Sequence, residues 1–515
     1  CSSLSIYTLY ITLPRHNYNL AIKFMCYQNS RRLYIMSNTD YINVILEILQ
    51  INVFSHLFVP APFMDSSSCI KKIPDSNGVI TLFIHLQSPV APLVCPHCAS
   101  FNHHISKGLR SIELKHFSFG SIPVVLVVSY HRYICKDCSS YFSENIPFQF
   151  DNRKATVPNV QSALFEMKEN HSMASISRMH GLGKNTIYRI FNENIHIPDR
   201  FYHLSSVISI DEFKATSDKG TYAFNIVDPI TGKTLDIIED RKASFLRNYF
   251  LRFPFHERKK VKFIIMDLSS SFYCIMHSLF PHAQIICDRF HYIRLAGQNF
   301  IQSRLDACSF LHDKPLAKSI KRNLRLFYKY KKDLDNDKTW YDFHLKRYFT
   351  CASYIDYLYT LSERRNKDNC HHNTMFDSLI IMEMLDNYEI YQNLLKLIHE
   401  KHDDYKNELN RWLDYIFDTQ NSYYLITAKN FRKKWFIPLL CSLSYTTIYK
   451  RRTGSYKTSF NNGFIEGMNN KIKLIKRNAY GFRYFYNLRK RIFLHLGYSY
   501  SFTYKDTKKG IPIFQ

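Results

Sequence analysis

No uninterrupted apolar run in the chain approaches the roughly 18 residues needed to cross a bilayer. The most apolar stretch, IPVVLVV (122–128), is rich in β-branched residues that suit a buried strand. A secretory pattern of basic start, apolar stretch and small-residue cleavage site is also missing. The thirteen cysteines are odd in number and nine show no paired spacing, which argues against a disulfide framework. These absences point to a reduced, cytoplasmic setting. Acidic side chains are scarce too. There are 43 Asp and Glu against 69 Lys and Arg, a formal charge of +26. That imbalance predicts a polyanionic partner, most simply nucleic acid, bound in a salt-sensitive way.

At 515 residues the chain is long enough for several domains, each with its own core. It opens on Cys1, and Met36, heading MSNTDYINVILEIL, is expected as the true start. Residues 1–35 are then a non-native upstream extension and 36–88 an N-terminal segment.

The four cysteines with paired spacing are CPHC (95–98) and CKDC (135–138), separated by 36 residues. Each pair offers two thiolates from one tight turn, and two such turns complete a tetrahedral zinc site. Cys95, Cys98, Cys135 and Cys138 are therefore expected to hold a structural Zn2+ in a ribbon over 89–147. Two coincidental pairs, or a redox pair, are the alternatives. Next, HSMASISRMHGLGKNTIYRIFNE (171–193) places Met173, Ile176 and Met179 on one helical face. Gly181-Leu182-Gly183 breaks the helix, and a second begins at Lys184 with Ile187 and Ile190 inward. The pattern predicts a helix-turn-helix over 155–198, offering Lys184, Asn185, Thr186, Tyr188 and Arg189 to a major groove. An ordinary helical hairpin shares the pattern.

From residue 205 the periodicity changes. VISIDEF (207–213), TYAFNIV (221–227), TLDIIED (234–240), VKFIIMD (261–267) and AQIICD (283–288) read as five strands, the last two separated by a helical FYCIMHSLF. Three strands followed by βαβ units describe an α/β sheet of the ribonuclease H type. Asp211 and Asp267, ending neighbouring strands, can share Mg2+ or Mn2+ through hard oxygen ligands. A third carboxylate is available in NNGFIEGMNNKIKLIKRNAYGFR (461–483), where Glu466 is the single acid among five cations. Ile465, Met468, Ile472 and Ile475 make the buried stripe of that helix, leaving Glu466, Asn470, Lys473 and Arg477 on the adjacent face. Residues 451–491 carry eleven Lys and Arg, so the Lys471–Arg491 run, with Asn470, Lys471, Lys473, Lys476 and Arg477 foremost, is expected to hold a DNA backbone. Each acid also has a plainer reading, as a turn former or a helix cap.

The order CPHC…CKDC, helix-turn-helix, SIDEFK, IIMDL, FPHAQIICDRFH and NNGFIEGMNNKIK resembles the ISL3 family of bacterial insertion-sequence transposases, over roughly residues 40–495. The resemblance implies a ribonuclease H-like catalytic domain in two parts (205–290 and 456–500). It assigns Asp211, Asp267 and Glu466 as an Asp-Asp-Glu triad holding catalytic divalent ions. Asp288 and His291 of DRFH would then support the site from outside the triad, and Glu212 would add local charge. One departure is LSSSFY (268–273), where family members often carry a more aromatic, proline-containing stretch. The resemblance makes 291–455 an all-α insertion, which holds Trp340, Trp412 and Trp435; a Trp there can stack on an unpaired base or simply fill the core. Cys370-His371-His372 is a weak metal cluster.

The implied activity is binding of terminal inverted repeats followed by metal-dependent strand cleavage and transfer into target DNA. It would be carried out by a dimer or larger assembly on the bacterial nucleoid. A DNA-binding regulator, a catalytically decayed transposase and a non-specific ribonuclease H-type nuclease are the alternatives.

Overall fold

The β-branched run at 122–128 forms the first half of a long strand, Ile122–Cys135, in which Val124, Leu126 and Val128 are buried. The computed structural model describes residues 46–497, apart from 52–58, 64, 66–67, 89–93, 152, 199–200, 216–220, 364–371, 452–453, 480–481 and 483. It gives backbone alone for 6–10, 21–25, 372–373, 446–451 and 454–459. The Cys370-His371-His372 cluster lies outside the fully described residues. Two compact units emerge: Cys1–Phe165 with Ala174–Ile187, and Glu166–Met173 with Tyr188–Gln515.

In the first unit Ile122–Cys135 pairs antiparallel with His104–Phe119 through a turn at Gly120, whose φ of 58° suits a residue without Cβ. On its other side it pairs parallel with Ile80–Gln87. Val59–Pro60, Ile70–Pro74 and Tyr141–Ser143 complete a six-stranded sheet, so the segment ahead of the first cysteine pair contributes strands to the same sheet. Leu46, Leu49, Ile84, Leu86, Leu114, Ile146 and Phe148 pack with the central strand.

Helices follow at Val157–Glu166, Met173–Met179 and Lys184–Asn194. Between the second and third, Gly181 takes φ 62° and the Ser177 hydroxyl donates to the Leu182 carbonyl at 2.6 Å, closing the turn. Met173, Ile176, Ile187 and Ile190 are buried as expected and Leu182 of the turn is buried with them, but Met179 is 37% exposed. The next residue, His180, fills the inward place and is held by Asn159 at 2.8 Å.

The second unit is built on a five-stranded sheet. Its strands are β1 (Val207–Lys214), β2 (Tyr222–Asp228), β3 (Lys233–Ile238), β4 (Phe263–Met266) and β5 (Gln284–Cys287), in the order β3-β2-β1-β4-β5. β2 is antiparallel to β1 and β3, whereas β4 is parallel to β1 and β5. One face packs on helices Ala243–Leu251 and Ser270–Leu279 through Ile208, Ile210, Phe224, Leu246, Phe272 and Met276. Against the other face, Phe213, Ala223 and Ile237 meet Ile472 and Ile475 of helix Gly463–Asn478, and Leu488 and Ile492 of helix Phe485–His495.

The segment between β5 and helix Gly463–Asn478 is mostly helical, with its long members at Arg289–Phe310 and His372–His399. It is not all-α, however. Hairpins Trp340–Asp342/Arg347–Phe349 and Thr446–Arg451/Gly454–Ser459 interrupt it, because short alternating stretches such as WYD and RYF pair locally across a turn. Trp412 and Trp435 are buried, the first donating to the Ile390 carbonyl at 2.9 Å. Trp340 packs on Phe349 and Tyr354. Trp412 and Trp435 thus fill the core, and Trp340 is half-buried.

Candidate active site

Parallel register sets the site. Ser209 of β1 pairs with Ile265 of β4, and Ile265 pairs with Ile286 of β5. Asp211, Asp267 and Asp288 each stand two residues beyond these matched positions, and side chains two apart on a strand share a face. Three carboxylates thus converge beyond the last β1–β4 pair. Asp211 does not end its strand as expected: β1 continues to Lys214 because β2 goes on pairing with it past the point where β4 stops.

Asp211, Asp267, Glu212, Arg241, Lys242, Ser269 and Ser271 line one cleft of about 400 Å³. Burial first, then the charge of Asp267, pushes the Asp211 carboxyl up to about 7. Burial, with the charges of Asp288, Glu466 and Glu212, pushes Asp267 up to about 6, against an Asn462 hydrogen bond that favours its ionised form. Glu466 is exposed in the first turn of helix Gly463–Asn478 and does not line the cleft, though its charge is felt at Asp267. Glu212 is engaged by Arg241, whose guanidinium also lies over the Tyr222 ring at 4.2 Å.

A tighter group sits beside the cleft. Ligand atoms of Asp267, Asp288 and His291 lie within 4.8 Å of one another, with His291 Nε2 at 3.1 Å from Asp267 Oδ2. Asp211 and Glu466 are outside that group.

The carboxylates are oriented by residues that sequence reasoning passed over. The Asn462 side chain donates to Asp267 Oδ1 at 2.8 Å and accepts from the Ser209 hydroxyl at 2.5 Å, and its backbone N–H donates to Asp288 at 2.9 Å. Asn469 donates to Asp211 Oδ2 at 2.7 Å and accepts from Asn225 at 2.9 Å. One signal was present: Asn469 falls on the Ile465–Ile472 stripe, and a polar group placed on a buried stripe needs a partner.

Of the cations expected to face DNA, Lys184, Arg189, Lys471, Lys473 and Arg477 are exposed, as are Asn185, Tyr188 and Asn470, with Thr186 half-buried. Lys476 instead turns back onto the Lys214 carbonyl and is half-buried. The far end of the basic run is a correction. Arg489, Lys490 and Arg491 are buried, and their positive groups satisfy Asp236, the Asn192 carbonyl, and the Glu169 and His171 carbonyls respectively. Charge in a sequence does not reveal burial, and here inward partners use it up.

In the first unit the four cysteine sulfurs gather within 4.8 Å of one another. Cys95–Cys138 are 3.7 Å apart and Cys98–Cys135 are 3.5 Å apart. A tetrahedron of sulfurs at 2.3 Å from zinc has edges of about 3.8 Å, so the donor set fits that ion. The two turns are alike. Cys95 and Cys135 amides donate to the Ser100 and Ser140 carbonyls, and Ala99 and Ser139, each following the second cysteine, take φ of 59° and 57°.

The model of the ISL3 group of DDE transposases, described as a transposase, matches residues 208–492. An aligned stretch of 264 residues is 23% identical to the transposase for insertion sequence element IS1001 of Bordetella parapertussis, covering 50% of this chain and 64% of that protein. A local similarity of 39 residues, 56% identical, links the chain to an ATP-dependent protease of Lactococcus lactis subsp. lactis and covers 8% of this chain and 13% of that one. The chain thus spans less than two thirds of the length of these curated relatives. No helix of the described residues is long and apolar enough to cross a membrane. The match over 208–492 takes in more than half of the chain, together with Asp211, Asp267 and Glu466, and the chain belongs to the ISL3 family of transposases.

Proposed function

We propose that the protein is a DNA transposase, acting in the cytoplasm on the terminal inverted repeats of its insertion sequence and on target DNA. In this reading the second unit is a ribonuclease H-like catalytic domain with Asp211, Asp267 and Glu466 as its triad. The observation that carries it is the matched register of Asp211 and Asp267 on neighbouring parallel strands, with the charge of Glu466 felt at Asp267.

Hard carboxylate oxygens, with Asp211 and Asp267 raised first by burial and then by neighbouring negative charge, fit divalent magnesium or manganese. When bound, such ions activate the attacking oxygen and stabilise the leaving one. The chain's own part is alignment. Asn469 and the Glu212 amide fix the two oxygens of Asp211, and Asn462 and His291 fix those of Asp267. Lys242 on the cleft wall offers positive charge to the phosphate, and Arg241 offsets the charge of Glu212 beside it. Water attacks phosphorus at the element end and the bond to the 3′ oxygen breaks. The freed 3′-hydroxyl then attacks a target phosphodiester, joining the element to the target's 5′ phosphate and expelling the target's 3′ oxygen as a hydroxyl, with no covalent bond to the protein. Asp288, held by the Asn462 amide, and His291, beside Asp267, support the site from outside the triad.

The four-cysteine cluster would hold a structural zinc, and the ribbon and the helices at 173–194 would read the repeats through Lys184, Asn185, Thr186, Tyr188 and Arg189. Lys471, Lys473 and Arg477 would hold the backbone of the bound end. Joining two ends needs two active sites, so a dimer or larger assembly is part of the proposal. The test is cleavage of duplexes carrying the gene's own flanks against scrambled duplexes of equal length. Cuts confined to the repeat ends support a transposase; equal cutting of both would make the protein a general nuclease.

A further inference from the structure

Hairpin Trp340–Asp342/Arg347–Phe349 turns one set of aromatic rings inward and another outward. Trp340 and Phe349 pack on Tyr354 in the core. Tyr341, Phe343 and Tyr348 face solvent, with 36%, 65% and 74% of their surfaces exposed. Tyr341 and Tyr348 are cross-strand partners with ring centroids 5.0 Å apart, and Phe343 stands edge-on to Tyr341 at 5.2 Å. Alternation along a strand explains why both sets exist, but not why the outer positions carry large rings.

The outer rings sit on a rigid base. Asp342, buried at 2% exposure, accepts from the amides of His344 and Leu345 at 2.9 and 3.0 Å and so closes the turn. Its other oxygen accepts from the Ser319 hydroxyl at 2.6 Å and from Asn323 at 3.1 Å, which ties the turn to helix Lys314–Arg322. A platform held this way loses little freedom when it binds.

Cations surround the rings. The Arg322 guanidinium lies 5.5 Å from the Phe343 centroid, Arg347 lies 5.6 Å from that of Tyr357, and Lys346 is exposed at the tip. Residues 314–349 hold eleven Lys and Arg against four acids, of which Asp342 is buried. Exposed aromatic faces interleaved with positive charge match the chemistry of unpaired bases on a phosphate backbone. Paired bases hide their faces within the stack, so an intact duplex would leave these rings unused. An apolar protein partner would gain nothing from the cations.

We infer that the Tyr341–Phe343–Tyr348 face of this hairpin binds a single nucleic-acid strand by stacking on unpaired bases. The inference does not depend on cleavage, because stacking needs neither the carboxylates nor their ions. The test uses the full chain without divalent metal and a labelled oligothymidine of about 16 nucleotides. Phe343→Ala/Tyr348→Ala is expected to weaken binding at least about tenfold, since each stacked base contributes roughly 1–3 kcal/mol. The slope of log affinity against log salt should stay the same, because no charge is removed. Affinity for duplex carrying the gene's flanks should change less than about twofold, and Phe343→Trp/Tyr348→Trp should restore single-strand binding. No binding by the wild type, an unchanged affinity in the double variant, or equal weakening on duplex would overturn the inference. So would a shift in oligomeric state on truncation, which would make the face a contact between protein chains.

Discussion

Asn462 and Asp267 are joined by a 2.8 Å hydrogen bond, while the Asn462 amide holds Asp288 at 2.9 Å. One residue at the start of helix Gly463–Asn478 therefore sets two carboxylates just past the ends of two strands and stands four residues ahead of Glu466. Asn462→Ala should cost about 1–3 kcal/mol of stability, the range for stranding buried polar partners. Cleavage should fall further than stability alone explains. Urea denaturation alongside a nicking assay checks this; full activity with lost stability would reduce Asn462 to a fold residue.

The pH dependence of the metal-free protein follows from Asp211 and Asp267. Both carboxyls are raised in the folded state, to about 7 and about 6, by burial ahead of neighbouring charge. Between their unfolded range near 4 and those values the folded state binds more protons than the unfolded one. Their contribution to stability is complete below about pH 4 and is lost as pH rises through 6 and 7. Magnesium should therefore raise Tm more at pH 8 than at pH 5.5, and Asp211→Asn should flatten the metal-free pH profile. Thermal melts in chelator and in magnesium measure both; a magnesium shift independent of pH would contradict the assignment.

The buried and exposed cations should separate cleanly. Arg489 donates twice to Asp236, at 3.1 and 2.9 Å, and its removal strands a buried carboxylate. Arg489→Ala should cost about 3–5 kcal/mol. Lys473→Ala should leave stability within about 0.5 kcal/mol, as expected at an exposed site, and should lower the salt dependence of DNA binding by about one unit of slope. Calorimetry and salt titrations of DNA affinity distinguish the two.

Zinc should be countable. The purified chain is expected to carry one Zn2+ that Cys135→Ser abolishes, because Cys135 is buried among Cys95, Tyr133 and Phe142 and a serine hydroxyl is a poor substitute for a thiolate zinc ligand. Elemental analysis gives the stoichiometry, and loss of the metal should lower Tm. Retained zinc in the variant would point to another site.

Features with a short period were readable from the residues. The five strands of the second unit and the Ile465–Ile472–Ile475 stripe each repeat at a spacing that betrays a buried face. What stayed hidden depends on distant partners. Nothing around Asn469 names Asn225 or Asp211 as its partners, and Arg489–Arg491 look like a solvated basic run until Asp236 and the carbonyls of Glu169 and His171 are brought to them. The Trp340–Phe349 hairpin was missed because two three-residue strands are too short to display alternation above the helical signal around them.

In the proposed triad of Asp211, Asp267 and Glu466, Glu466 decides the matter, since it stands outside the cleft that the two aspartates line. The most direct measurement is manganese-dependent nicking of a duplex carrying the gene's flanks, wild type against Glu466→Gln, with binding of the same duplex followed in parallel. The wild type should cut at the element end and the variant should lose at least about a hundredfold, a range typical of removing one group that stabilises the transition state. Duplex affinity should be kept. Equal cutting by both proteins would contradict the triad.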